Sequence, residues 1–325
     1  MPAFPSDYPI FTEQLGQVAL ENRTLLEVAG RDAAAFLHNF STHQIKELPV
    51  GCGCELFFPD VKGKAVGYGL LFRRQDSFLL ETAPDQAETL IAHLDRYLIT
   101  EDVQFHDRSA SWRQRLICGE PSQVQACLHR VFSGGVIPEK NLQHEIAGGG
   151  ESALWLSRLE IVQPAVYLLS GPGEAIAQAA AALSQAGAAA CSQEAWEAVR
   201  VESAWPQYGC DIGQDRLPQE IDRDAQAISF TKGCYLGQET IARLDAMGHV
   251  NWILRKVKFF GDQLPLAGGE LTHEGKTVGR TLSAVWSPRY QAPLALAYVR
   301  ASLKEGGQTL LSEWGEAEVL SEYKP

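Results

Sequence analysis

The chain is short of several features that a protein of 325 residues could carry. Its first stretch, MPAFPSDYPIFTEQLGQV, has neither a basic n-region nor an apolar h-region, so it does not read as a secretory signal. No run approaches the roughly 20 apolar residues of a membrane span. The alanine-rich AIAQAAAALSQAGAAAC is interrupted by Gln and Gly and reads as a packed helix. Positive charge is scarce: 28 Lys and Arg against 40 Asp and Glu leave a formal net charge of −12. That argues against stable nucleic-acid binding, which needs clustered Lys and Arg, but leaves room for a local basic pocket. The seven cysteines are odd in number and scattered, and with no secretion signal they imply reduced thiols in the cytoplasm. Cys52 and Cys54 are closely spaced, with His38 and His43 upstream, but no second thiol pair accompanies them, so no metal site is expected. SGPGEA (170–175) lacks the third glycine of a dinucleotide fingerprint and reads as a plain turn.

What is present is the composition of an ordinary globular protein, 45% hydrophobic and 21% charged. The length allows two or three compact units. Strands are expected at 24–30, 64–73, 77–82 and 102–107, with helices over RDAAAFLHNF and over 84–99, where Pro84 suits the first turn. The order then repeats loosely: strands at 113–119, 152–160 and 165–171, helices at 121–132 and 172–187. Two such runs suggest a duplicated α+β unit with helices on one face of antiparallel sheets. After residue 250 short alternating runs broken by Gly and Pro point to a small β-barrel or sandwich.

One stretch concentrates chemistry: FTKGCYLGQETIARLDAMGHVNW, 230–252. Helix formers from 236 onward place Cys234 just before or within a first turn, where unpaired N–H groups and the positive dipole end favour an anion. Lys232 adds a positive charge two residues away, so Cys234 is a candidate thiolate. Gln238 and Glu239 could cap the turn or contact a ligand. Taken alone, Cys234 reads equally well as a small buried core residue.

KGCYLGQE resembles the K-G-C-Y-x-G-Q-E signature of the YgfZ family of folate-binding proteins, which is related to the glycine-cleavage aminomethyltransferase. Lys232, Gly233, Cys234, Tyr235, Gly237, Gln238 and Glu239 match all seven specified positions. RVESAWPQYGCDI is similar to the family's R-x-E…P-x-x-G-x-D-I stretch, and LLEVAGRDAAAFLHNFSTHQI to its opening pattern. The resemblance implies two ferredoxin-like subdomains, 1–110 and 111–250, a C-terminal β-barrel, 251–325, and a central opening for tetrahydrofolate or a one-carbon derivative. It implies that the Glu202 carboxylate grips the pterin's 2-amino and ring N–H edge, with Arg200, Tyr208, Tyr235, Gln238 and Glu239 as further cofactor contacts. Cys234 and Lys232 would then be the working thiol and its activator. The likeness associates the chain with assembly or repair of iron–sulfur clusters, in enzymes that include some that modify tRNA, and so with Fe–S protein partners. One departure matters: Gly67 and Tyr68 stand where the aminomethyltransferases carry an acidic residue, so transfer of an aminomethyl group is not expected. A folate-dependent transferase and a non-catalytic scaffold with structural folate remain alternatives, and whether the chain is an enzyme is left open.

Overall fold

The computed structural model describes residues 4–147, 153–248 and 250–321. It begins with a short helix α1 (Tyr8–Glu13) and strand β1 (Leu15–Leu20). Next come β2 (Thr24–Ala29), α2 (Ala33–Phe40), β3 (Gly53–Pro59), β4 (Ala65–Arg73), β5 (Ser77–Thr82), α3 (Ala87–Asp95) and β6 (Gln104–Asp107). Five of these strands form an antiparallel sheet ordered β3-β4-β5-β2-β6. Helices α2 and α3 lay Ala33, Phe36, Leu37, Leu90 and Leu94 on one face of it, packed on Leu26, Leu56 and Leu71.

The next elements are β7 (Trp112–Gly119), α4 (Pro121–Val131), β8 (His144–Ala147), β9 (Leu154–Leu159), β10 (Val166–Pro172), α5 (Gly173–Gln185), β11 (Ala189–Ala190) and α6 (Gln193–Glu202). The second sheet runs β11-β1-β7-β10-β9-β8. Its outer face takes Val124 and Leu128 of α4 and Ile176 and Leu183 of α5. The Glu120 carboxylate accepts the Ser122 and Gln123 N–H groups, and Pro121 opens the first turn, which starts α4 sharply.

The inner faces of the two sheets meet. Val18, Leu116 and Leu168 from one share a core with Phe57, Tyr68 and Leu70 from the other, closed by Trp196 and Val199 of α6. Burial on both faces explains why β4 reads as an almost unbroken apolar run.

A 3-10 turn (Pro218–Ile221), α7 (Asp224–Ala227) and α8 (Gln238–Met247) lead to the third unit. There β12 (Trp252–Phe259), β13 (Glu270–His273), β14 (Lys276–Ser287), β15 (Ala292–Arg300), β16 (Thr309–Ser312) and β17 (Gly315–Val319) close a barrel ordered β12-β15-β14-β13-β16-β17. Ala295, Ala297 and Val299 fill its narrow interior, while Leu294, Leu296 and Tyr298 on the other face of β15 join the central core. The architecture is the expected α+β class with a C-terminal barrel. Among the described residues no helix is long and apolar enough to cross a membrane.

Two details differ from the sequence expectation. The helix expected from 84 starts at Ala87, because Asp85 takes a left-handed φ of 59°, and Leu98 sits in a turn after the helix. The boundary near 110 does not divide the two sheets in space. β1 lies in the second sheet, its Leu15–Leu20 pairing with β7, while residues after 218 return to the first, with α7 against β3.

Candidate functional site

A cavity of about 530 Å³ opens where α6, the α7 region and the barrel meet. Its wall holds four acidic side chains, Glu160, Glu202, Asp222 and Asp224, and four basic ones, Arg223, Arg255, Lys256 and Arg289. In a chain of net charge −12 this balanced wall is a local enrichment of positive charge. Burial pushes the Lys256 ammonium down to about 8, and that ammonium donates to the Glu202 carbonyl at 2.8 Å.

Glu202 is almost fully buried at the end of α6. Its Oε2 accepts the Tyr8 hydroxyl at 2.6 Å. Its Oε1 accepts the Ser287 hydroxyl and the Arg289 backbone N–H. The carboxylate expected to grip a pterin edge therefore already holds three donors, and it ties α1, α6 and β14 together. Arg200 is likewise spent within the fold: Nε and Nη2 donate to Glu197, and Nη1 donates to Asp211 and to the Trp205 carbonyl. Asp211 passes the connection on by accepting the Ser283 N–H of the barrel strand. The Tyr208 hydroxyl donates to the Ala65 carbonyl at 3.1 Å, and burial pushes it up to about 12. Arg200 and Tyr208, expected as ligand contacts, are both engaged within the fold. Each has its polar atoms paired inside the protein because the R-x-E…D-I stretch joins α6 to its neighbours.

The 232–239 segment is held by contacts of its own. Lys232 is 5% exposed, and its Nζ donates to three backbone carbonyls at the end of α2, those of His38, Ser41 at 2.6 Å and His43 at 3.0 Å. Burial pushes this ammonium down to about 7. In this position the charge neutralises the negative end of α2. Tyr235 lies under that ammonium, 4.6 Å from Nζ to the ring centroid, and joins the central core. The Leu236 N–H donates to Asn39. Gly237 caps α8 with a φ of 75°, and a side-chain carbon there would come within 2.3 Å of the Asp60 carbonyl. Glycine is thus required twice over, by conformation and by space.

Cys234 sits three residues before that cap, outside the first turn, and is exposed. Gln238 is half-buried and Glu239 exposed at the start of α8. None of residues 232–239 lines the cavity, so Glu202 and the thiol segment are not brought together on one wall.

Sequence reasoning missed a buried network. Arg223, on the cavity wall, donates through Nε and Nη2 to Glu55, which also accepts the Tyr68 hydroxyl at 2.7 Å. The Trp205 indole N–H donates to the same hydroxyl. The lone acid within CELFFP was the available signal, since a buried carboxylate in an apolar strand requires a partner.

Comparison with known proteins agrees with this architecture. Residues 11–231 match the GCVT N-terminal domain and residues 256–320 the glycine cleavage T-protein C-terminal barrel domain. A chloroplastic Arabidopsis thaliana protein named as a transferase is 25% identical over 288 residues, covering 88% of this chain and 65% of the plant protein. This chain thus spans less than two thirds of that relative. The tRNA-modifying protein YgfZ of Escherichia coli O157:H7 is 26% identical over 290 residues, 87% of this chain and 85% of its own. The aminomethyltransferase T of the Bartonella henselae glycine cleavage system superposes with a TM-score of 0.81 at 17% identity, covering 97% of this chain and 87% of its own, which shows the fold.

Proposed function

This chain belongs to the family defined by the GCVT N-terminal domain and the glycine-cleavage T-protein C-terminal barrel domain, and from that premise we propose that it is a YgfZ-type folate-binding protein serving iron–sulfur enzymes, some of them tRNA-modifying, with Cys234 as its working thiol. The observation that carries the reading is the cavity of about 530 Å³ with its mixed charged wall. Tetrahydrofolate has donor-rich pterin and anionic glutamate ends, and a wall holding both signs of charge can satisfy each. Similarity to YgfZ over 87% of the chain supports the link to tRNA modification. The exposed Cys234, on a segment fixed to α2 at Lys232 and Leu236, supports a role in which a thiol meets an incoming partner.

Aminomethyl transfer is the weaker reading. It asks for an ionisable group beside folate, and Tyr68 stands where the acid is expected while Glu55 is engaged by Arg223 and Tyr68.

The test has two arms. Folinic acid, a stable reduced folate, is titrated into the protein while melting is followed, and the melting temperature should rise with concentration. In a bacterium lacking its own YgfZ, the wild-type chain should restore iron–sulfur-dependent tRNA modification, and Cys234→Ala should fold normally but fail to restore it. A fully active Cys234→Ala protein removes the thiol from the mechanism.

A further inference from the structure

Gly233 leaves a gap in the surface beside Cys234. Apart from its chain neighbours, the only atom among the described residues within 4 Å of where a side-chain carbon on Gly233 would sit is Nε2 of His38, at 4.0 Å. His38 lies on α2 and is 5% exposed. Its Nδ1 is closed off from solvent and meets no partner. Its Nε2 makes no hydrogen bond among the described residues and is not closed off, so the ring opens outward on the Gly233 side. A neutral imidazole keeps its one proton where the N–H can be solvated, because a buried N–H without an acceptor is costly. The proton therefore belongs on Nε2. Burial first, then the charges of Lys232 and Lys46, push the ring's protonation down to about 4. Near neutral pH the imidazole is uncharged, and its open nitrogen is a donor. Cys234, the next residue after Gly233, is exposed, and its thiol makes no hydrogen bond among the described residues.

We propose that His38 is the positioning residue of the Cys234 thiol, its Nε2–H donating to the sulfur in its anionic form across the gap that Gly233 leaves. The inference deepens the thiol reading above and rests on it. A hydrogen bond to an anion is charge-assisted, so the donor favours the reactive form of the sulfur over the neutral thiol. The sulfur's own proton leaves to water, because a ring that stays neutral down to about pH 4 does not take it up. Two cations stand behind the imidazole, Lys232 with its ammonium on the α2 carbonyls and Lys46 in the turn that follows. Both add positive potential on the side from which the donor points, which suits an anion there and disfavours a second proton on the ring. The glycine of the signature then has a function of its own: any side chain at 233 would cover Nε2.

The experiment is alkylation with iodoacetamide, followed at the Cys234 peptide by mass mapping from about pH 6 to about pH 10. Wild type, His38→Leu, His38→Gln and Gly233→Ala are compared, with melting recorded for each and the exposed Cys210 as internal control. At about pH 7.5, His38→Leu should label Cys234 about tenfold more slowly than wild type, and the gap should close by about pH 10, where a thiol ionises unaided. His38→Gln keeps an N–H donor at similar reach and should recover most of the rate. Gly233→Ala sets a methyl group over Nε2 at ordinary contact distance, and should slow labelling with little change in melting. A histidine that merely packs gives the opposite sign, since its loss loosens the segment and speeds labelling. Equal or faster labelling of Cys234 in a folded His38→Leu overturns the inference. Should that variant not fold, an unchanged rate in Gly233→Ala overturns it instead. A fully active Cys234→Ala protein in the complementation arm removes the thiol from the function but leaves the labelling result standing, so the two readings fail separately.

Discussion

Replacing Lys232 by Met removes the ammonium and keeps most of the side chain's length and apolar stem. Three carbonyls at the end of α2, those of His38, Ser41 and His43, would lose their donor. A hydrogen bond from a charged donor is worth about 1.5–3 kcal/mol net, and the three are not additive because one ammonium makes them all. Leaving buried carbonyls without their donor costs about 1–3 kcal/mol, which sets the expected destabilisation of Lys232→Met. The contact with the Tyr235 ring at 4.6 Å is lost as well. Urea unfolding of wild type and Lys232→Met gives the first readout. Hydrogen exchange at the Leu236 amide, bonded to Asn39, gives a second that is local to the thiol segment, and it should speed up in the variant. A lysine acting only as a charge beside Cys234 would slow thiol chemistry without moving either readout. A midpoint shift worth less than about 1 kcal/mol, with Leu236 protection unchanged, refutes the clamp.

Three further outcomes are expected. The Asp224 carboxyl is raised from 3.8 to about 6, so between those values the folded chain holds a proton that the unfolded chain has released. Stability from this group therefore rises as pH falls through about 6 towards 4. Asp224→Asn should remove that slope in pH-dependent unfolding and gain about 1–3 kcal/mol at neutral pH. Gly237→Ala meets the Asp60 carbonyl and forces a left-handed alanine, and should lower stability by about 2–4 kcal/mol in urea unfolding. A value near zero would show that the Asp60 turn yields freely. A thiol reagent should modify two cysteines quickly, the exposed Cys210 and Cys234, and reach buried Cys54, Cys118 and Cys127 only on unfolding. Mass mapping that finds Cys234 slow would contradict its exposure.

Local patterns carried much of the fold. The stripe Ala33, Phe36, Leu37 and the apolar 77–82 segment were readable because their partners lie within one sheet and its helices. β1 was not readable, since LGQVAL takes its place only from pairing with Gln114–Gly119, about a hundred residues away. β3 was hidden by its burial on both faces, which removes alternation. The signature was visible as a string of residues, but its mechanics were not. Lys232 reaches carbonyls of residues 38–43, and Glu202 finds its donors at Tyr8 and Ser287. Sequence spacing encodes neither pairing, because both join residues 85 or more positions apart.

Those long-range contacts assign the signature residues different work. Lys232, Tyr235 and Gly237 fasten the segment to α2, to the core and to the Asp60 turn. With its neighbours so anchored, the main chain around Cys234 would lose little further freedom on any contact made by the thiol. The same anchoring holds the thiol at the surface, while the cavity's charged wall is built by α6, the α7 region and the barrel without any contribution from 232–239. A sulfur meant to attack a ligand inside the cavity would have to line it. The geometry instead separates the charged cavity from the exposed thiol, and the two are joined in sequence through α7, whose Ala227 carbonyl accepts the Thr42 hydroxyl beside the α2 terminus that Lys232 holds. Thr42 thus lies between the two, its hydroxyl on the α7 carbonyl and its neighbours Ser41 and His43 held by Lys232.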